Sequence, residues 1–263
     1  MGIEYSLSCP QGGDGTHGDI VAQNAELTAK IIDWVMDISN PAISKLFKLT
    51  GAVTAIYPII STVKAVLDKY PGKKAGITLA NTFPCLGFRP NEGADWDEGV
   101  IVGMSGEGVL PISYLSLARA CNLGVTVSGN GGAMNYLDAA NFLALGASTV
   151  QFCTIAEKYG YGIIDELKLG LSHLLEAKGL KSVSDLIGIA QPQPITDFMD
   201  LPPKSKSSAL ERELCVHCGN CTRCPYLAIT LDEDLLPVID KDKCVGCSLC
   251  TKLCFAGALH MAE

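Results

Sequence analysis

Two features of the 263-residue sequence predict an α/β fold followed by a small cysteine-rich module. Strand-like apolar runs alternate with helical periodicities from the N-terminus to about residue 190, and eight of the twelve cysteines fall in two short runs between Cys215 and Cys254. Alternation of this kind requires parallel strands joined by helical crossovers, in an open sheet or in part of a barrel. With 48% hydrophobic and 18% charged residues, the chain is long enough for one large core and one small one.

The elements follow in order. Residues 3–8 read as a strand that ends in Cys9-Pro10 and a glycine-rich loop over 11–18. Over 21–37, Leu27, Ile31, Ile32 and Val35 recur at helical spacing, and Ser39-Asn40-Pro41 ends the helix. A strand at 43–49 precedes a helix at 55–70, which places Ile59, Ile60, Val63, Val66 and Leu67 on one face and Pro58 in the first turn, where proline is tolerated. The next strand is 75–81. Segment 82–108 is polar and glycine-rich and reads as a long loop of the kind that forms lids or binding loops. Then come a helix at 112–121, a strand at 124–128, a helix at 135–145, a strand at 149–153 and a helix at 162–178 stopped by Gly179. The predicted domains are 1–190, a proline- and serine-rich linker at 191–211, and a module at 212–263.

The first cysteine run places Cys215, Cys218, Cys221 and Cys224 two residues apart and closes on Pro225. The second holds Cys244, Cys247, Cys250 and Cys254. This is the pattern of bacterial-type ferredoxins with two [4Fe-4S] clusters, in which the fourth cysteine of each run ligates the other cluster. It assigns Cys215, Cys218, Cys221 and Cys254 to one cluster, and Cys244, Cys247, Cys250 and Cys224 to the second. Disulfides suit secreted chains and zinc takes four ligands in two pairs, so both fit less well. Cys224 departs from the pattern, following two intervening residues where three are usual, and Cys254 precedes Phe255 where proline is usual.

A net charge of −8 and a pI near 5.0 argue against nucleic acid or an anionic membrane as partner. The sequence holds no long apolar run and no leader pattern, so a cytoplasmic protein is expected. The N-terminal residues loosely fit a myristoylation pattern but read better as a strand. A dinucleotide-binding Gly-x-Gly-x-x-Gly between strand and helix is missing from the sequence.

Tyr5-Ser-Leu-Ser-Cys9-Pro10, Lys48-Leu-Thr50, Ala80-Asn81-Thr82, Gly103-Met-Ser-Gly106, Ser128-Gly-Asn-Gly-Gly132 and Gln151-Phe-Cys-Thr154 occur in the order and spacing of one family. Together they resemble the flavin barrel of the dihydropyrimidine and dihydroorotate dehydrogenases, and the two-cluster tail makes the dihydropyrimidine dehydrogenase type the closer likeness. The resemblance implies the C-terminal part of a TIM-type β/α barrel that holds FMN at the ends of its strands. Residues 3–8 look like the fourth strand, leaving about five of eight, and a complete barrel takes about 250 residues. Such a part should expose strand edges and an apolar interior. A partner chain supplying three strand–helix units, a truncated reading of a longer protein, or a rearranged five-stranded fold would each answer this.

The resemblance also implies roles. Cys9 matches the active-site acid, a thiol that gives or takes a proton at a C=C or CH–CH bond; a small buried cysteine is the plainer reading. Lys48 looks like the lysine that faces the flavin edge where negative charge gathers on reduction, or else a strand cap facing solvent. Asn81 and Thr82 resemble the pair that hydrogen-bonds the substrate ring, although Asn-Thr is also ordinary turn chemistry. Ser105, Gly106, Gly129, Asn130, Gly131, Gln151, Cys153 and Thr154 match the FMN phosphate cradle. Ser6 and Gln11 depart from the family residues, which leaves the substrate open. His17 and His217 carry no role, and Cys85 and Cys121 should be unligated. The expected function is oxidation or reduction of a small heterocyclic substrate, the clusters relaying electrons between FMN and a partner flavoprotein that uses NAD(P)H. The alternative is a non-catalytic iron-sulfur docking subunit.

Overall fold

In the computed structural model, residues 2–9, 20–53, 55–191 and 206–262 are described. The chain divides into two compact units, Met1–Ile195 and Thr196–Glu263. Of the residues singled out in the sequence, Pro10, Gln11 and His17 lie outside the described residues, as do the whole 11–18 loop and most of the 191–211 linker.

The first unit is built on five parallel strands: β1 (Gly2–Ser6), β2 (Ser44–Lys48), β3 (Ala75–Thr78), and, after an inserted hairpin, β6 (Val127–Gly129) and β7 (Thr149–Val150). The hairpin strands are β4 (Phe83–Arg89) and β5 (Glu98–Met104). Sheet order is β1-β2-β3-β6-β7, so each strand lies beside its predecessor. A singly wound arc of a β/α barrel has this order, whereas a doubly wound sheet reverses at a switch point.

Register sets the two faces apart. Tyr5, Phe47, Ile77 and Val127 are aligned across four strands, and the last three are fully buried. They form the outer face, on which the helices pack. Helix α1 (Ala25–Ile38) starts where the Asn24 side chain accepts the Leu27 N–H at 3.0 Å, and buries Thr28, Ile32 and Met36 at four-residue intervals. Helix α2 (Ile56–Leu67) buries Ile56, Ile59, Ile60, Val63 and Val66, with Pro58 in its first turn. Helices α3 (Leu110–Asn122), α4 (Tyr136–Ala144), α5 (Thr154–Tyr159), α6 (Ile163–Ala177) and α7 (Val183–Leu186) follow. Asn135 caps α4 by accepting the Asp138 N–H at 2.9 Å.

The other face mixes polar and apolar residues. The row aligned with Ser6 reads Lys48, Thr78, Ser128 and Thr149, and the row at Glu4 reads Leu46 and Gly76. A trough of about 940 Å³ is lined by Glu4, Lys45, Lys73 and Lys74 together with Ile3, Leu46 and Val127. The sheet is strongly curved. Its outermost strands, four spacings apart, would stand about 19 Å from each other if flat. Instead the Glu4 carboxylate on β1 accepts both the Thr78 hydroxyl of β3 at 2.7 Å and the Gln151 amide just beyond β7 at 2.9 Å.

Segment 82–108, expected as a long loop, is an antiparallel hairpin with seven residue pairs, β4 against β5. Pro84, Gly87, Gly99 and Gly103 disguise it, because glycine and proline in sequence read as breakers. In three dimensions the glycines make room for cross-strand neighbours: a Cβ at Gly103 would stand 2.5 Å from the Thr82 hydroxyl, and one at Gly99 3.3 Å from Leu86.

The second unit pairs β8 (Ser207–Leu210) with β11 (Leu259–Ala262) and β9 (Ile229–Leu231) with β10 (Pro237–Ile239), both antiparallel, with helix α8 (Leu249–Leu253) between the hairpins. Strand β8 lies within the segment read as linker, because four residues of moderate polarity acquire a strand partner only from the far end of the chain. The unit's core is Cys221, Ile229, Cys250 and Leu259.

Candidate active site and cluster cages

The segments that follow the five parallel strands converge at one end of the sheet, and the residues singled out in the first unit lie on or next to them. After β1, Ser8 is fully buried and Cys9 exposed. The Asn81 side chain, past β3, donates to the Ser8 carbonyl at 2.8 Å and so ties the Cys9 segment to that strand end. Asn81 thereby spends one amide hydrogen on the protein and keeps its oxygen free among the described residues. The Ser8 hydroxyl beside it is buried with no hydrogen-bond partner among the described residues.

Lys48, Asn81, Thr82, Ser105, Asn130, Gly131, Gln151, Cys153 and Thr154 line one pocket of about 220 Å³. Its glycine turn follows β6. Gly131 and Gly132 have φ of +95° and +94°, and a Cβ would meet the Ser113 hydroxyl at 2.4 Å and the Gly106 carbonyl at 2.6 Å, respectively. Only glycine fits either position. Thr154 donates to the Ser105 hydroxyl at 3.0 Å, joining the turn after β5 to the start of α5.

Two predicted residues are engaged elsewhere. The Asn130 amide donates to the Ala80 carbonyl at 2.6 Å and its oxygen accepts the Ala80 N–H at 2.9 Å, so the side chain braces β6 to β3. Gly129 packs away from the pocket, where a Cβ would lie 3.1 Å from Ala147, Leu117 and Phe142 alike. Two residues were missed. Glu4 anchors the Gln151 amide, and a lone carboxylate inside a predicted strand was its available signal. Glu157 lines the pocket, and its carboxylate accepts the Cys153 thiol at 3.4 Å. Burial, then Glu157, raise the Cys153 thiol above its ordinary range, while the Lys48 ammonium acts in the opposite direction. Cys121 lies apart, its thiol pushed by burial to about 11.

In the second unit, Cys215, Cys218, Cys221 and Cys254 wall a single apolar pocket with Leu210, Pro237 and Leu259. Burial pushes the Cys221 thiol up, and charge on Cys218, Cys215 or Cys254 would push it further, which places all four within electrostatic reach. All twelve cysteines are free of disulfides. Among the described residues no three His, Cys, Asp or Glu side chains close around a single metal ion.

The two runs adopt one backbone course. His217 and Gly246, Gly219 and Ser248, and Leu227 and Gly257 are matched positions, and all six have positive φ. Three of them carry side chains in a conformation that favours glycine.

A 4Fe-4S binding domain family matches residues 237–260, which include the second run. The chain is 29% identical to the NAD-dependent dihydropyrimidine dehydrogenase subunit PreA of Escherichia coli (strain K12), over 99% of its own length and 57% of that protein's. It is 29% identical to the dihydroorotate dehydrogenase B (NAD(+)) catalytic subunit of Pyrococcus furiosus, over 72% of the chain and 60% of the relative. The corresponding subunit of Caldicellulosiruptor bescii is 31% identical over 71% and 59%. This chain therefore spans about three fifths of the length of the dihydropyrimidine and dihydroorotate dehydrogenase subunits to which it is similar, and it carries the 4Fe-4S signature.

Proposed function

We propose that this chain is a catalytic part of a flavin- and iron-sulfur-dependent oxidoreductase acting on a CH–CH or C=C bond of a small heterocycle, with two [4Fe-4S] clusters relaying electrons between FMN and a partner flavoprotein that uses NAD(P)H. The observation that carries this reading is the gathering of the Cys9 segment, Lys48, Asn81, the Gly131-Gly132 turn and Gln151–Thr154 at one end of a curved parallel sheet, in a chain that also holds a four-cysteine cage.

The residues fit FMN at its phosphate end. Backbone N–H groups of the Gly131-Gly132 turn and of the Cys153-Thr154 segment would hold the phosphate, in a turn whose positive φ angles and close packing against Ser113 and Gly106 require glycine. When bound, FMN supplies hydride transfer. Lys48 holds a positive charge at that pocket, where it stabilises an anionic reduced cofactor. Asn81 keeps a carbonyl oxygen to orient a ring N–H, and Thr82 offers a hydroxyl beside it. Cys9 holds or releases the proton at the carbon next to the one that exchanges hydride. Among the described residues Glu157 is the one acidic side chain lining the pocket, and its bond to the Cys153 thiol turns its charge toward that thiol.

The pocket is smaller than the usual cofactor cavity of about 300–1,000 Å³. This supports a second part of the proposal: three further strand–helix units, from a partner chain or from polypeptide beyond these residues, complete the barrel against β1 and β7. Leu27, Trp34 and Ile38 form an exposed apolar stripe on α1, the helix next to the β1 edge, and would be covered in that assembly.

Heating the purified, reconstituted protein and assaying the supernatant tests the central reading. Released flavin supports the enzyme; iron and sulfide without flavin support the docking-subunit alternative. Cys9→Ala should abolish turnover with flavin and iron content unchanged, whereas loss of both cofactors would assign Cys9 a structural role.

A further inference from the structure

The two halves of the second unit are related by an internal repeat, which allows residue-by-residue comparison of their surroundings. Leu210 stands five residues before Cys215, and Ile239 five before Cys244; Ile229 stands five after Cys224, and Leu259 five after Cys254. Strand pairing obeys the same equivalence, Leu210 facing Leu259 and Ile239 facing Ile229. One step further out, Ser208 faces Met261 and Pro237 faces Leu231. Ser208 and Pro237 are therefore equivalent positions in the two halves.

Their chemistry differs. Ser208 is 2% exposed, and its hydroxyl oxygen lies 3.2 Å from the Sγ of Cys250. Cys250 is itself 9% exposed, so water does not compete effectively for this contact. Pro237 borders the pocket of Cys221, the equivalent of Cys250, and has neither a hydroxyl nor an N–H to give. In the free protein the thiol donates to the hydroxyl. Once the sulfur is a ligand it has lost its proton, so the hydroxyl must reverse and donate.

We infer that Ser208 is a potential-setting residue, whose hydroxyl donates to the Cys250 thiolate and makes the cluster held by Cys250 the easier of the two to reduce. A hydrogen bond to a ligand sulfur withdraws electron density from iron and stabilises the more negative, reduced cluster; in a buried site the effect is strong. Electrons then reside preferentially on the cluster held by Cys250, which gives the relay a direction within the unit. The inference rests on the two-cluster reading.

The test is an anaerobic redox titration of the reconstituted full chain, followed by electron paramagnetic resonance, with iron and sulfide assayed on each sample. The protein as it stands should carry the iron of two cubes and titrate in two waves. Iron for one cube or none would overturn the cluster reading itself. Ser208→Ala should move the upper wave to lower potential and leave the other in place, while Ser208→Thr, which keeps the hydroxyl, should restore it. Two unmoved waves at full iron content, or two waves that move together, would overturn the role of Ser208. Should Ser208→Ala fail to load iron, Pro237→Ser in the otherwise unchanged chain should raise the lower wave, and an unshifted lower wave would overturn the inference.

Discussion

The two units hold themselves together by different means. The first packs a continuous apolar layer, with Phe47, Ile60, Val63, Ile77, Val127 and Phe142 at its centre, between a curved sheet and its helices. The second has a core of four buried residues, and two of them, Cys221 and Cys250, are proposed cluster ligands. In one unit a cofactor would sit at the rim of a core that exists without it; in the other, two of the four core residues are themselves the proposed ligands. A cofactor can thus be an addition to a fold or its keystone, and the distinction is visible in where the ligands are buried.

Removing iron should break the comparison open. Anaerobic chelation is expected to abolish hydrogen-exchange protection along β8–β11 while β2 and β3 stay protected, since small metal-dependent modules unfold without their metal. Equal loss in both units would mean that the first depends on the second. The opposite perturbation is Phe47→Ala, which removes a fully buried ring stacked on Tyr5 at 5.4 Å. It should cost the first unit about 3–5 kcal/mol in denaturant unfolding and leave iron content unchanged.

A smaller effect tests the rim. Glu157→Gln removes a negative charge from the proposed phosphate pocket and should tighten FMN retention by about fivefold in equilibrium dialysis, corresponding to about 1 kcal/mol of relieved repulsion. The same pocket should be pH-sensitive. The Cys153 thiol is raised, so it stays protonated and uncharged at neutral pH, and FMN retention should fall only as pH climbs through that raised range and a thiolate joins Glu157. Cys153→Ser should flatten the profile. The smallest effect concerns strain in the second unit. Leu227 is 73% exposed with φ of 51°, and Leu227→Gly should stabilise the loaded protein by about 1 kcal/mol, since it relieves a left-handed backbone without losing packing.

Much of this was legible in the sequence because it is local. Helical spacing placed α1, α2 and α4 within a few residues of their observed ends, and Asn135, Pro58 and Gly179 act at the boundaries where their side chains or φ preferences put them. The spacing of the cysteines named both runs. The hairpin of β4 and β5 was not legible, since its glycines serve neighbours on the opposite strand rather than a turn. Strand β8 was not either, because its partner lies at the other end of the module. The brace of Asn130 on Ala80 and the separation of Gly129 from the pocket likewise depend on residues about fifty or more than a dozen positions away.

Sequence alone determined the α/β alternation, the two cysteine runs and the residue types that gather at the strand ends, because period, cap and ligand spacing act within one turn or one strand of the chain. Only the tertiary structure decided that the sheet curves until Glu4 reaches Gln151, that its open face mixes polar and apolar groups, and that Ser208 stands beside Cys250 where the other half of the module has a proline. Those outcomes are contacts between distant segments, and their energies exist only once the strands have paired.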